Sequence, residues 1–428
     1  MLIKNATAVV LDPPSIERLD FRILKGRIAA RGKNLAPNRG EEVHDMGGRI
    51  LMSGLVNAHT HLYSALSLGM PAPDVHPGNF LEVLEKVWWK LDRALDEETV
   101  YYSALIGAID AARSGTTTII DHHSSPAVIK GSLGIIREAL QEIGLRGVLC
   151  YEVSDRGGMK ERDRGLEENE RFIRASRRDT HFRGLVGAHA AFTLGAGSLR
   201  LLGEMAEKEH AGVHIHVAED RIDRAAAEED YRCGLIDRLA DNGILRQGSV
   251  LAHGVHLTAG EIERVKKSGS WLIHNPRSNM NNRVGHAPLD LFGEHSALGT
   301  DGFPSDMFAE AACGFFRKQE AGNALDSVSM TGLLSGGQRA VSGVFGQKFG
   351  TLKKDSPADL IVLDYRPPTP ITKENLAGHF LFGMRSSDVE SVMVAGKWVV
   401  KNRVVVGIGL ASVYEKAGAV AKRLWKKM

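Results

Sequence analysis

The chain has 428 residues, 43% hydrophobic and 25% charged, so it is long enough to bury a large core and has the composition of a globular protein. Its 54 Lys and Arg nearly balance its 52 Asp and Glu, and a formal net charge of +2 argues against a protein that binds nucleic acid or an anionic membrane. The three cysteines, Cys150, Cys233 and Cys313, are widely spaced without a C-x-x-C pair, which excludes a disulfide framework and a cysteine-based zinc site.

The first segment of the chain, MLIKNATAVVLD, is interpreted as a strand, because it lacks the basic region and the apolar region of a secretory signal. No apolar run in the sequence approaches the roughly 20 residues that span a bilayer. Together with the unpaired cysteines, these features predict a cytoplasmic protein that does not interact with membranes.

Both ends of the chain have the pattern of short strands and tight turns. The N-terminal part includes FRILKGRIAARG with a Lys25-Gly26 turn, and the C-terminal part includes VESVMVAGKWVVKNRVVV with a turn at Ala395-Gly396. We therefore predict that residues 1–53 and 352–428 form one small β-sandwich domain, built from both chain termini around a larger insert.

The insert, residues 54–351, contains eight short apolar runs, and most of them precede a helical stretch. The runs are ILMSGLVNAH, TTTIIDH, GVLCYEV, GLVGAHAAF, GVHIHVAE, SVLAHGV, SWLIHNP and SALGTDG. Nearly every run ends in His, Asp or Glu, and active sites of (β/α)₈ barrels lie at the C-terminal ends of the strands. This pattern predicts an α/β fold with a TIM-like (β/α)₈ barrel rather than an open doubly wound sheet.

Two further patterns in the insert are interpreted as structural. The stretch NFLEVLEKVWWKLDRAL places Phe80, Leu84 and Trp88 on one helical face, which predicts packing against the core. The cluster Ser335-Gly336-Gly337 has neither the G-x-G-x-x-G nor the G-K-[ST] pattern of nucleotide-binding loops, so we interpret it as a helix turn.

Candidate metal ligands stand at the ends of several predicted strands. His59 and His61 point to the same side of an extended chain, because side chains alternate with a period of two. His216, His253 and Asp301 end later apolar runs. Two or three His with one carboxylate suit Zn²⁺, Fe²⁺ or Mn²⁺. Three residues after His216, Glu219 is in a position for a proton shuttle rather than a ligand.

Five motifs in this order, GLVNAHTHL, HIHVAED, LAHGVHL, HNPRSNM and LGTDG, resemble those of the amidohydrolase superfamily, on its cytosine-deaminase and chlorohydrolase-like branch. The resemblance covers essentially the whole chain. Within that branch, LYSALSLGM, SGTTTIIDHHSSP and GTDGFPSDMF are most similar to the SsnA-type aminohydrolases.

The resemblance implies one divalent metal ion per chain, with Zn²⁺ favoured and Fe²⁺ or Mn²⁺ as alternatives. The implied metal ligands are His59, His61, His216 and Asp301. It also implies that Glu219 is the proton shuttle, which protonates a ring nitrogen and then the leaving nitrogen, and that His253 orients the metal-bound water. Asp301 would be catalytic as well as a ligand, since it can accept the proton of the attacking water.

A site with two metal ions remains an alternative. It would need a carboxylated Lys or an equivalent acid on a middle strand, and the fourth run, GAHAAF, has no Lys. Glu152, at the end of the third run, is the residue that could serve instead, with His253 then a ligand.

Substrate contacts are predicted for His189, His123 and Ser64. His189 stands where related deaminases place a substrate-contacting His. Of the pair His122 and His123, the sequence predicts one pocket residue and one structural hydrogen-bonding residue. Guanine-deaminase-like members have Gln at the position of Ser64, which argues against guanine, and many relatives have Leu at the position of Asn282.

These features predict a metal-dependent amidohydrolase that acts on a non-peptide carbon–nitrogen bond of a small molecule. The favoured reaction is hydrolytic deamination of a purine, pyrimidine or pterin-like heterocycle by a metal-activated hydroxide. The alternatives are ring opening of a cyclic amide, dechlorination of a triazine-like ring, and a non-catalytic barrel relative. We also expect a homo-oligomer, a dimer.

Overall fold

The structure is a computed structural model that describes residues 1–322 and 326–428. The β-strands of this part of the chain are, in order, β1 (Leu2–Leu11), β2 (Pro14–Leu24), β3 (Arg27–Gly32), β4 (Val43–Asp45), β5 (Ile50–Ser53), β6 (Leu55–Thr60), β7 (Thr116–His123), β8 (Arg146–Tyr151), β9 (Phe182–Gly184), β10 (Val186–Ala190), β11 (Val213–Val217), β12 (Val250–His253), β13 (Trp271–His274), β14 (Ser296–Leu298), β15 (Leu360–Leu363), β16 (Val389–Val394), β17 (Lys397–Lys401) and β18 (Val404–Val405).

The α-helices connect these strands and are numbered in the same way. They are α1 (Phe80–Val83), α2 (Trp89–Ala94), α3 (Glu97–Arg113), α4 (Ser132–Ile143), α5 (Met159–Ser176), α6 (Ala196–Lys208), α7 (Arg221–Tyr231), α8 (Leu235–Asp241), α9 (Ala259–Ser268), α10 (Pro276–Asn281), α11 (Met307–Glu320), α12 (Ser327–Phe345), α13 (Leu376–Gly378) and α14 (Leu410–Trp425).

Two parallel sheets form the middle of the chain, and helices alternate with their strands. One sheet has the order β6-β7-β8-β9 and the other the order β10-β11-β12-β13-β14. Isolated parallel bridges, Thr60 with Asp301 and Val153 with Ala188, link the two sheets. Each of the eight predicted apolar runs contains one of these parallel strands, and the first run also contributes β5 to another sheet. The predicted α/β fold with parallel strands is therefore confirmed.

The terminal strands join in a third, nine-stranded sheet of order β18-β17-β16-β15-β5-β1-β2-β3, with β4 paired to β1. Antiparallel pairing of β15 with β5, Leu360 opposite Ser53, connects the two ends of the chain. Because strand side chains alternate between faces, Leu360 packs in a cluster with Phe21, whereas Ile361 packs in the main core. Both faces of the sheet are therefore covered.

Two contacts connect the terminal segments to the parallel sheets. A buried ion pair joins Arg146 of β8 to Asp359, with Nε 2.6 Å from Oδ2 and Nη2 3.1 Å from Oδ1. At the C-terminus, α14 packs on α3, and Trp425 Nε1 donates to the Leu66 carbonyl oxygen at 2.9 Å. None of the helices in the described ranges is both long enough and apolar enough to cross a membrane.

Glycine at position 336 allows α12 to approach the parallel sheets closely. A Cβ at Gly336 would lie 1.8 Å from the backbone oxygen of Ser296 in β14. The structure thus places Ser335-Gly336-Gly337 inside α12, and the expectation of a helix turn is wrong. Adjacent glycines in a sequence usually indicate a break in a helix. At position 336, however, the absence of a side chain allows α12 to pack against Ser296, which lies 40 residues earlier in the chain.

We expect Gly336→Ala to lower the midpoint of thermal unfolding, because β14 or α12 must shift to accommodate the methyl group, at a cost of about 1–3 kcal/mol. Gly343→Ala is the matched control in the same helix, since nothing lies within 4 Å of its Cβ position. The control should equal or exceed the wild type, because Ala is favoured over Gly in a helix by about 1 kcal/mol. Equal midpoints for the two variants would contradict this packing interpretation.

Candidate functional site

The C-terminal ends of the parallel strands bring a group of histidines and one carboxylate together. His59, His122 and His216 are the second-last residues of β6, β7 and β11, and His253 is the last residue of β12. Asp301 follows β14. Their side-chain nitrogen and oxygen atoms form two overlapping sets, each with all atoms within 4.8 Å of one another. The sets are His59, His61, His122 and His216, and His59, His216, His253 and Asp301.

The orientation of two of these rings is fixed by backbone oxygens. His61 Nδ1 lies 2.6 Å from the His122 carbonyl oxygen, and His216 Nδ1 lies 2.8 Å from the His189 carbonyl oxygen. A carbonyl oxygen only accepts, so each Nδ1 carries the hydrogen and donates it. Each Nε2 is consequently left with a lone pair directed at the centre of the group.

Side chains contact the outer nitrogens of His253 and His59. His253 Nδ1 donates to Asn279 Oδ1 at 2.8 Å. His59 Nδ1 lies 2.8 Å from Nε2 of the buried His214, whose own Nδ1 is 3.6 Å from Cys150 Sγ. Outer hydrogen bonds of this kind orient metal-binding imidazoles in proteins.

The inward-facing atoms lie close together, but not all of them have a hydrogen-bond partner. His61 Nε2 is 3.1 Å from His216 Nε2 and 2.9 Å from Asp301 Oδ1, and His59 Nε2 is 3.4 Å from the same oxygen. Within the described residues, the buried Nε2 atoms of His59 and His253 have no hydrogen-bond partner. Buried polar atoms without partners are costly, and a divalent cation would satisfy several lone pairs at once. The residues therefore fit a divalent metal ion.

Strained backbone accompanies the ends of these strands. Ala218, His253 and Asp301 have φ angles of 50°, 78° and 54°, in the left-handed region that residues other than glycine rarely occupy. Each such residue costs of order 1–3 kcal/mol, and strain of this kind concentrates at functional sites. The turns at these three positions direct His253 and Asp301 toward the centre of the group.

Glu219 lies beside the histidine group and is positioned by both of its oxygens. Oε2 is 3.5 Å from His253 Nε2, and Oε1 accepts a hydrogen bond from Asn282 Nδ2 at 3.3 Å. Burial raises the pKa of Glu219 to about 7, against the opposing effect of His253 and with a further contribution from Asp301. Such a carboxyl can both give and take a proton near neutral pH.

Glu152, the candidate for a second metal site, lies on the outer side of the histidines. Its Oε2 is 3.5 Å from His122 Nδ1 and 4.0 Å from His61 Nδ1, which is the nitrogen facing away from the centre. Its Oε1 is 3.6 Å from His189 Nε2. Burial raises the pKa of Glu152 to about 7. In the two described ranges, neither candidate metal-binding set includes this carboxylate.

A narrow cavity adjoins the group, with Glu219, Asp301, His61 and His216 in its wall. Another part of the wall is apolar and largely aromatic. It consists of Phe80, Leu84, Trp88, Trp89 and Phe192. The stretch around Trp88 packs on the core, as the sequence predicts, and also lines the cavity. A narrow aromatic space beside polar groups suits a flat heterocyclic ring.

The three predicted substrate contacts differ in their placement. His189 and Ser64 line the cavity, although the Ser64 hydroxyl donates to the His61 carbonyl oxygen at 2.7 Å. His123 is buried, its Nε2 is 2.8 Å from Ser125 Oγ, and in the described part of the chain it is not a lining residue. His122 is the member of the pair that belongs to the histidine group.

Sequence reasoning missed the role of α10. The sequence analysis gave the polar residues of HNPRSNM no role in the site, yet the Ser278 hydroxyl donates to Asp301 Oδ2 and Asn279 accepts from His253. The helix is anchored to α11 by an ion pair of Arg277 with the buried Glu310. Pro276 could have indicated that a helix begins in this motif, because proline is common at the first position of a helix.

Relatives of known activity cover nearly the whole chain. The 5-methylthioadenosine/S-adenosylhomocysteine deaminase of Thermococcus sibiricus is 29% identical over 411 residues, which is 93% of either chain. The 5'-deoxyadenosine deaminase of Methanosarcina acetivorans is 29% identical over 439 residues, covering 99% of this chain and 98% of the relative.

Solved structures with the same fold include two proteins with bound zinc. An adenosine deaminase from Xanthomonas campestris has a TM-score of 0.88 at 22% identity, covering 99% of this chain and 98% of the other. An atrazine chlorohydrolase from Arthrobacter aurescens has a TM-score of 0.83 at 18% identity, covering 98% and 99%. The sequence model of the amidohydrolase family matches residues 50–399, from β5 to β17, and so includes every strand end described above. With this match over most of its length, the chain belongs to the amidohydrolase family.

Proposed function

We propose that this protein is a metal-dependent hydrolase that removes an exocyclic amino group from a purine, pyrimidine or pterin-like ring. The observation that carries the proposal is the convergence of histidine Nε2 atoms and Asp301 beside Glu219, in the wall of an aromatic cavity. The deaminase activities of the relatives from Thermococcus sibiricus and Methanosarcina acetivorans support the same reaction class.

For the metal, we propose one divalent ion per chain, Zn²⁺ in preference to Fe²⁺ or Mn²⁺. The proposed ligands are His59, His61, His216 and Asp301. Zinc in the structures from Xanthomonas campestris and Arthrobacter aurescens supports this choice. When bound, such an ion lowers the pKa of a coordinated water to about 7 and so supplies a nucleophile at neutral pH.

The remaining work falls to side chains of the chain itself. Protonated Glu219 gives its proton to a ring nitrogen next to the amino-bearing carbon, while Asp301 receives a proton from the attacking water. His253, held by Asn279, stabilises the negative charge that develops on the water oxygen. In the complete reaction the water oxygen becomes a carbonyl oxygen. One proton of the water restores the proton that Glu219 gave to the ring nitrogen. The other proton joins the amino group, which leaves as ammonia.

We further propose that the two parallel sheets close into a single (β/α)₈ barrel over residues 54–351. The bridges of Thr60 with Asp301 and of Val153 with Ala188 support closure, because they connect the sheets at two separate places. The high TM-scores to the solved structures support the same architecture.

Residues 1–53 and 352–428 are proposed to form the β-sandwich domain. A hydrophobic cluster that includes Ile3, Phe21 and Met393 supports a sheet folded over its own core, since its members come from both ends of the chain. Helix α14 lies within residues 352–428, although it packs on α3 of the insert.

Three expectations about the surroundings of the protein remain predictions. They are the homodimer, the absence of nucleic-acid partners and the cytoplasmic location. The near-neutral formal charge of +2 supports the second of them.

Metal content tests the site directly. Protein purified without chelators should contain about one Zn or other divalent ion per chain, and His61→Ala should lose it together with several degrees of thermal stability, because a bound ion stabilises the folded state. His76→Ala, at an exposed position outside the site, is the control and should retain the ion. Mass spectrometry of the metals provides the measurement. Two ions per chain would instead favour the site with Glu152, and a metal-free active enzyme would refute the proposal.

Catalysis is tested by ammonia release from a panel of aminopurines, adenosine derivatives, aminopyrimidines and pterins. Glu219→Gln should lower kcat by about 10²–10⁴-fold, because the proton donor is lost, and should leave KM nearly unchanged. Glu229→Gln, on the exposed side of α7, is the matched control and should behave as the wild type. A carboxylate or chloride product without ammonia would indicate ring opening or dechlorination instead.

A further inference from the structure

Asn282, directly after α10, contacts the proposed proton shuttle and lines the cavity. Its Nδ2 donates to Glu219 Oε1 at 3.3 Å and to Ser278 Oγ at 3.3 Å. An amide nitrogen carries two hydrogens, so both donors of this side chain are in use. The two acceptors belong to residues that contact the reacting groups on either side of the cavity.

The orientation of the Asn282 amide is set by its neighbours. Asn281 Nδ2 donates to Asn282 Oδ1 at 3.2 Å, which identifies Oδ1 as the outward-facing atom. A rotated amide would place its oxygen against the Glu219 carboxylate, and two acceptors would then repel each other. The donor side of the amide therefore faces Glu219.

A donor at Oε1 has a consequence for the proton that Glu219 carries. The carbonyl oxygen of a carboxylic acid accepts hydrogen bonds more strongly than its hydroxyl oxygen, so the N–H of Asn282 at Oε1 favours the form of protonated Glu219 that carries its hydrogen on Oε2. Oε2 is the oxygen 3.5 Å from His253 Nε2, on the side of the histidine group. The acidic hydrogen is thus presented to the place where the ring of the substrate meets the attacking water.

We propose that Asn282 is a positioning residue for the deamination reaction, which selects Oε2 of Glu219 as the oxygen that gives and receives the proton. The inference rests on the proposed function, since it assigns a task within that reaction. Asn282 acts through Glu219 and needs no contact with the reacting atoms.

The position of Asn282 is itself rigid. Its backbone N–H donates to the Ser278 carbonyl oxygen at 2.8 Å, which continues the last turn of α10. The Ser278 side chain accepts from Asn282 and donates to Asp301 Oδ2, so one short segment is bonded to both carboxylates. The Arg277–Glu310 ion pair holds the start of the helix. The separation between Glu219 and Asp301 is consequently fixed by α10.

The test compares substitutions that keep the shape of Asn282 and change only its donor. Asn282→Leu has similar size and no donor, and Asn282→Asp has the same shape with an acceptor in place of the donor. We expect kcat to fall by about 10–100-fold in Asn282→Leu and further in Asn282→Asp, with KM within about threefold of the wild type. Asn402→Asp makes the same substitution at an exposed position far from the cavity and should leave kcat unchanged.

A combination with the shuttle variant tests whether the effect passes through Glu219. In the Glu219→Gln background, Asn282→Leu should lower the residual kcat by less than about twofold, because the group that it positions is already inactive. A full additional loss would overturn the proposal, as would a wild-type kcat in Asn282→Asp or an equal loss in Asn402→Asp.

Crystal structures of the wild type and Asn282→Leu give a readout that does not need activity. The expected result is a rotated Glu219 carboxylate in the variant, with unchanged positions of the histidines and the same metal content and thermal midpoint. A carboxylate in the wild-type orientation would overturn the proposal. If the wild type releases no ammonia from any substrate, the proposed function fails, and the crystal structures alone decide the role of Asn282.

Discussion

The candidate site depends on hydrogen bonds at the outer nitrogens of its histidines. In His61, His216 and His253, Nδ1 donates to a fixed oxygen, so each Nε2 faces the centre of the group. Without these bonds the rings could rotate. With them, imidazole nitrogens and the carboxylate of Asp301 converge on one place, where a divalent ion can be bound by several of them at once.

The parallel sheets supply the oxygens that orient the rings. The backbone oxygens of His122 and His189 come from the ends of β7 and β10, the strands next to those that carry the histidines they orient. Because parallel strands end at the same edge of a sheet, the ends of β7 and β10 each carry a histidine and also orient the histidine of a neighbouring strand. The strained turns at His253 and Asp301 belong to the same arrangement, since packing of the surrounding strands maintains them.

The sequence analysis identified the candidate metal ligands but not the aromatic residues that line the cavity. His59, His61, His216 and Asp301 were identified because they stand at the ends of apolar runs, and the structure brings their polar atoms together. The helical face with Phe80, Leu84 and Trp88 was assigned to the core and does pack there, but its second role in the cavity wall was not foreseen, because the same spacing of large apolar side chains serves both. Gly336 was likewise misread, since its role depends on the backbone of Ser296.

The sequence by itself determined the α/β class, the order of the strands and the residues that could bind a metal ion, because alternation along a strand and position at its end are local properties. Only the tertiary structure decided how those residues are held. Asn282 meets Glu219 across 63 positions of sequence, and His59 meets His214 across 155. Contacts of this kind depend on how strands and helices pack, which no local spacing specifies, and the contact that orients the Glu219 carboxyl is among them.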